Sequence, residues 1–213
     1  MWKRPVGIKR RRTDNGALAA KLALRRHFLT AYHLDVLPTV LDCCQGEGVL
    51  WTALKKEYAL ANYCGLDTKP KKGRLAIDSY RFLAAGGWKA DVVDVDTYGS
   101  PWKHWIEILR ATHPALTVFL TVGHVSMSAS GFTQVDTIPL VAAGLSFETL
   151  TVPPSLQGKV SDLCVPYALA RATAFGWTIV ACLEAESPVA GRGGNSCRYF
   201  GIRLERPHGQ VAA

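Results

Sequence analysis

Carboxylates recur in this chain directly after short apolar runs. The first run, Val40-Leu41-Asp42, continues as Cys43-Cys44-Gln45-Gly46-Glu47-Gly48. Gly46 and Gly48 allow a tight turn and let a ligand approach the backbone. Nineteen residues after Gly48, Asp67 closes the next apolar run, and an acid at that spacing can accept both hydroxyls of a ribose. Asp78 with Ser79 forms a third polar point. Asp94 and Asp96 end the run ADVVDVD and lead into Thr97-Tyr98-Gly99-Ser100-Pro101. Together these residues describe a site for a nucleoside-containing cofactor beside a lip of acids and an aromatic. The competing reading is a set of ordinary turns with solvated acids.

Two residues narrow the cofactor. A dinucleotide fingerprint needs a third glycine three positions after Gly48, where helix and pyrophosphate pack closely, and Trp51 stands there instead. Asp42 would repel a diphosphate but suits the cationic amino group of a methionine moiety. A nicotinamide oxidoreductase is thereby disfavoured. The segment Asp42-Cys43-Cys44-Gln45-Gly46-Glu47-Gly48 resembles the D-x-x-x-G-x-G motif of class I S-adenosylmethionine-dependent methyltransferases, with Cys44 where many members carry a further glycine. The resemblance spans residues 39–123. It implies S-adenosylmethionine as cofactor, with Asp42, Cys44, Gly46 and Gly48 near its methionine part. It further implies Asp67 on the ribose, and Asp78 with Ser79 on the adenine amino group. Asp94 is grouped with these cofactor contacts.

The fourth acidic segment carries the more specific likeness. Asp94-Val95-Asp96-Thr97-Tyr98-Gly99-Ser100-Pro101 is similar to the D-x-D-P-F/Y-G-S-P motif of tRNA guanine N2-dimethyltransferases, with Thr97 in place of the first proline. An exocyclic amine is a poor nucleophile because its lone pair is delocalised into the ring. Acceptors on its N–H groups hold it out of conjugation and answer the charge that develops during attack. The resemblance assigns that part to Asp96 and stacking on an exposed base to Tyr98, with Thr97, Gly99, Ser100 and Pro101 framing the substrate. Methyl transfer is otherwise a matter of in-line alignment and needs neither a metal nor a nucleophilic side chain. Threonine does not fix φ as proline does, so the backbone at this position is not stiffened by its residue type.

The elements that must position these groups alternate along the chain. A helix is predicted over 16–32, capped by Asp14 or Asn15, then a strand at 37–44 and a helix at 49–59. Apolar strands follow at 61–67, 90–96 and 116–123, with a helix-prone stretch before the second of these and a helix opened by Pro101 after it. Near-continuous apolar strands imply burial on both faces, hence a doubly wound, mostly parallel α/β sheet. Residues 178–186 and 197–206 read as a closing antiparallel pair; 124–136 reads only as Gly/Ser-rich. With the family's reversed last strand, the expected fold is a Rossmann-like seven-stranded sheet. One domain is expected over 14–206, between a flexible basic arm at 1–13 and a disordered tail from Pro207.

Composition sets outer bounds. The chain has 213 residues, 48% of them hydrophobic, enough for a sizeable core. Its six cysteines contain no CxxC and mostly sit in apolar segments, as expected of reduced, structural thiols in a cytoplasmic protein. No stretch approaches about 18 uninterrupted apolar residues, so no membrane span is expected. The net charge is +8, with an early excess in Lys3, Arg4, Lys9 to Arg12, Lys21, Arg25 and Arg26. Such an arm favours a polyanion, nucleic acid before membrane. The resulting expectation is methylation of an exocyclic amino group of a base in nucleic acid, RNA ahead of DNA. The alternatives are a small-molecule or protein methyltransferase of the same fold and a noncatalytic nucleic-acid-binding module.

Overall fold

Residues 17–69, 72–97, 101–122, 125–127, 133–137, 148–152, 157–186 and 197–207 are described by a computed structural model. Its elements in chain order are α1 (Leu18–Tyr32), β1 (Thr39–Asp42), α2 (Val49–Leu54), β2 (Asn62–Asp67), β3 (Leu75–Ala76), α3 (Ser79–Ala84), β4 (Val92–Val95), α4 (Trp102–Leu109) and β5 (Ala115–Val122). There follow β6 (Val125–Met127), β7 (Thr133–Thr137), β8 (Glu148–Val152), α5 (Gln157–Ala174), β9 (Thr178–Glu186) and β10 (Arg198–Glu205).

The sheet order is β3-β2-β1-β4-β5-β10-β9, with β1 to β5 parallel and β10 antiparallel to both neighbours. From β1 the chain steps outward through β2 to β3, then crosses back to β4. The switch point therefore lies between β1 and β4, where open α/β sheets bind ligands beyond the carboxyl ends of their strands. The doubly wound sheet, with the last strand of the chain, β10, reversed against β5, is the architecture the sequence implies.

Alternation along each strand sorts the side chains into two layers. Val40, Val92 and Phe119 face Phe28, Leu29, Trp51 and Leu54 of α1 and α2. Leu41, Val93 and Val118 face the opposite layer, which includes Leu83 of α3, Trp105 and Ile108 of α4, and Ala168 and Ala172 of α5. The indole N–H of Trp105 donates to the Ala168 carbonyl at 2.7 Å, and that of Trp177 to the Leu109 carbonyl at 2.8 Å. With Trp102 also buried, the tryptophans of α4 are core residues, as their three-residue spacing implies. No helix among the described residues is long and apolar enough to cross a membrane.

Three features depart from the sequence reading. The Gly/Ser-rich region contributes β6 and β7, which with β8 form a separate three-stranded antiparallel sheet in the order β6-β7-β8. The stretch before α3 contains the two-residue strand β3, paired with β2 through Leu66 and Asp67. Helix α1 begins at Leu18 with Ala17 at its N-cap and no side-chain cap bond; Asp14 and Asn15 lie outside the described residues.

Phe28 fixes how closely α1 approaches the sheet. It lies fully buried over Gly201 of β10, where an added Cβ would come within 2.5 Å of the ring atom Cε2. Gly201→Ala is expected to lower stability in denaturant titration by about 1–3 kcal/mol. That cost should shrink when Phe28 is already alanine, since the two residues share one contact.

Candidate active site at the carboxyl edge of the sheet

The turn after β1 is knitted to both neighbouring strands. Cys43 N–H donates to the Asp94 carbonyl at 2.8 Å and Gln45 N–H to the Leu66 carbonyl at 3.0 Å. Gly46 and Gly48 then adopt φ values of +52° and +70°, the left-handed region that side chains disfavour, so the glycines are required where the motif places them. Asp42 is buried and accepts from the Tyr63 hydroxyl at 2.7 Å and from Cys44 N–H at 3.3 Å. Burial, followed by the nearby Asp94 charge, pushes its carboxyl up to about 7, partly offset by those two bonds and by Arg25. Burial also raises the Cys43 and Cys44 thiols, so both stay protonated at neutral pH and are poor nucleophiles.

Asp67 at the end of β2 accepts three N–H groups: Gly46 at 3.0 Å, Lys69 at 2.9 Å and Arg74 Nη1 at 3.0 Å. A carboxylate offers about four lone-pair positions, which leaves room for one more donor. Arg74 Nη1 also donates to the Gly46 carbonyl at 2.7 Å, strapping the residues before β3 onto the glycine turn. Asp78 caps α3, accepting from Arg81 N–H at 3.1 Å, and its side chain is exposed. Ser79 is buried against His104 Nε2 at 2.9 Å, and burial lowers that imidazole to about 4, keeping it neutral. Gln45 Oε1, Arg74 Nε, Thr97 Oγ1 and His104 Nδ1 are buried and find no hydrogen-bond partner among the described residues. These four orphans lie on segments bordering the same edge of the sheet, as a site for a polar cofactor would have them.

The β4 acids meet α1. Asp94, only 2% exposed, takes a two-pronged contact from Arg25, with Nη2 to Oδ1 at 2.6 Å and Nε to Oδ2 at 2.8 Å. Trp51 Nε1 adds a third donor at 2.7 Å, so the indole that replaces the dinucleotide glycine has a polar task of its own. Asp94, expected among the cofactor contacts, is thus engaged from within the protein. Asp96 is bound through both oxygens by Lys21 Nζ, at 2.7 and 2.6 Å. The two pairs match because four helical residues rise about 6 Å and two strand residues about 6.6 Å, so Lys21 and Arg25 fall opposite Asp96 and Asp94. Pro101 forms the N-cap of α4. Tyr98, Gly99 and Ser100 lie outside the described residues, as does the whole basic arm, residues 1–13.

The structure thus brings Asp42, Cys44, Gly46, Gly48 and Asp67 into one hydrogen-bonded turn, with Ser79 alongside through Cys44 Sγ at 4.0 Å. Sequence reasoning missed Arg74 and His104, and it counted Lys21 and Arg25 toward a polyanion-binding excess. The signal was present: two cations four apart on a helix answer two acids two apart on a strand.

No protein-family model matches the sequence, and a comparison with curated proteins finds none similar to it. Solved structures do share the fold. Trm1 from Pyrococcus horikoshii in complex with S-adenosyl-L-methionine superposes with a TM-score of 0.57 at 15% identity, over 92% of this chain and 56% of that one. This chain therefore spans little more than half of Trm1. TYW2 from M. jannaschii in complex with AdoMet gives 0.51 at 10% identity, over 93% and 80%. A candidate hemolysin from Lactococcus lactis gives 0.54 at 17%, over 93% and 90%. At these identities the likeness is one of fold.

Removing one partner of the innermost pair leaves a buried charge without its counterion. Arg25→Met is expected to destabilise the protein by about 3–5 kcal/mol in denaturant unfolding. Arg26→Met, at a pair whose side chains are 43% and 39% exposed, should change stability by less than about 1 kcal/mol.

Proposed function

We propose that this chain is an S-adenosylmethionine-dependent methyltransferase acting on an exocyclic amino group of a base in nucleic acid, with RNA ahead of DNA. One observation carries the reading: Asp42 and Asp94 are register partners on adjacent parallel strands at the switch point. The glycine turn after β1 and the acidic lip after β4 are consequently side by side, as methyl donor and acceptor must be. Two fold neighbours solved with S-adenosylmethionine support the choice of cofactor.

S-adenosylmethionine supplies an electrophilic methyl carbon on a sulfonium. Asp42 and the turn through Gly48 hold its methionine part, and Cys44 lines that part. Asp67 takes a ribose hydroxyl at its remaining lone pair, and Asp78 with Ser79 lies against the adenine. Asp96 accepts an N–H of the target amine, turning the nitrogen lone pair toward the methyl carbon. Tyr98 stacks on the base, and Thr97, Gly99, Ser100 and Pro101 frame it. With the cofactor bound, its methyl group would pass to the amine, the bonding pair staying with sulfur, and Asp96 would answer the positive charge on nitrogen until a proton is lost to solvent. The basic arm contributes phosphate contacts.

The decisive experiment incubates the protein with methyl-labelled cofactor and separate pools of RNA, DNA and protein. Label should enter RNA and be lost in Asp96→Ala. Label in protein alone would favour a protein methyltransferase, and calorimetry showing no cofactor binding would favour a noncatalytic module. A cationic ligand group near Asp42 selects the carboxylate, so binding should release a proton. Cofactor affinity should therefore rise about tenfold between pH 6 and pH 8, with Asp42→Asn flattening the profile. A pH-independent affinity in the wild-type protein would place the amino group elsewhere.

A further inference from the structure

The residue after Asp96 does not hold the turn. Thr97 leaves φ free, and its hydroxyl, though buried, finds no hydrogen-bond partner among the described residues. Asp96 is nevertheless held, and the grip comes from 75 residues away: the Lys21 ammonium binds both carboxylate oxygens at 2.6 and 2.7 Å. The lysine is itself fixed. Its side chain is 8% exposed, against 31% for Asp96, and Nζ lies 4.9 Å from the centre of the Tyr199 ring of β10. One turn further along α1, Arg25 is locked onto Asp94 and donates to the Lys21 carbonyl at 3.1 Å, which fixes the helix that carries the lysine.

We infer that Lys21 is the positioning residue for the target-amine acceptor: it aims and holds Asp96 in place of a rigid backbone, making α1 part of the substrate site. The inference rests on the methyltransferase reading above. Lys21 contacts both oxygens of Asp96, yet the carboxylate keeps 31% of its surface exposed, which leaves it open to a substrate amine. Burial alone would raise the Asp96 carboxyl; the Lys21 and Arg25 charges and the Lys21 hydrogen bonds outweigh it and hold the group below the ordinary carboxylate range. The other titratable groups facing this cluster are Asp94 on β4, Asp42 at the end of β1, Cys44 in the turn after it, and Tyr199 on β10. A carboxylate so held is a weak base. It orients the amine N–H without removing its proton before attack.

Lys21→Met keeps the length of the side chain and removes the charge; Lys21→Arg restores it. Three measurements test the role in the full chain: titration of the Asp96 carboxyl by carbon NMR, methyl transfer to total RNA as a function of pH, and S-adenosylmethionine binding by calorimetry. In Lys21→Met the Asp96 titration and the acid limb of the transfer profile should both move to higher pH. The value of kcat should fall about 10- to 100-fold, with cofactor affinity unchanged within about twofold. Lys21→Arg should recover most of each loss. If wild-type protein labels RNA and Lys21→Met does so with unchanged kcat and pH profile, the role of Lys21 is refuted while the methyltransferase reading stands. An unmoved Asp96 titration refutes it as well. If wild-type protein labels no pool, both fall together.

Discussion

Asp94 is a carboxylate almost without solvent, set at the point where the sheet reverses its winding, and its charge must be answered from within the protein. The effective cost of burying one such ion is several kcal/mol, recovered only when geometry and hydrogen bonding are nearly complete. Here they are. The Arg25 fork covers both oxygens, Trp51 adds a third donor, and the guanidinium lies 4.8 Å from the centre of the Phe119 ring. Through this one group β4 specifies where α1 and α2 must sit. Once α1 is seated, Phe28 meets Gly201 and Lys21 meets Asp96.

The same constraint shapes the neighbouring strand. Asp42 and Asp94 are neighbours across two strands, and one guanidinium cannot fully answer two buried carboxylates. Asp94 takes Arg25, and Asp42 is left with a phenol and a backbone N–H. The protein therefore holds at Asp42 a carboxyl that is half-ionised near neutral pH and gains fully from a cation brought by a ligand. As the folded-state value is raised, Asp42 favours folding at low pH, and that contribution is lost as pH rises toward 7. Asp96 works in the opposite sense. Its lowered value supports the fold at neutral pH and ceases to do so only in acid.

The sequence made some of this legible and hid the rest for physical reasons. Strands buried on both faces announce themselves as unbroken apolar runs, so β1, β2, β4 and β5 were readable, and with them a doubly wound sheet. Gly46 and Gly48 were readable because only glycine tolerates that turn. The two residues of β3 carry no periodic signal, and β6 and β7 lie among serines and glycines that read as loop. The larger omission concerned Lys21 and Arg25. Charge in a sequence is normally a statement about solvent, and only the pairing of a helical spacing with a strand spacing shows that these two point inward. Arg74 was hidden in the same way, at the end of a basic loop whose other members gave no reason to single it out.

The match between α1 and β4 also bears on the order in which the molecule is assembled. Arg25 and Lys21 find their partners 69 and 75 residues later in the chain. During synthesis α1 therefore emerges long before the strand that receives its two cations. Until β4 leaves the ribosome, neither cation has its carboxylate, and the seating of α1 on the sheet stays incomplete.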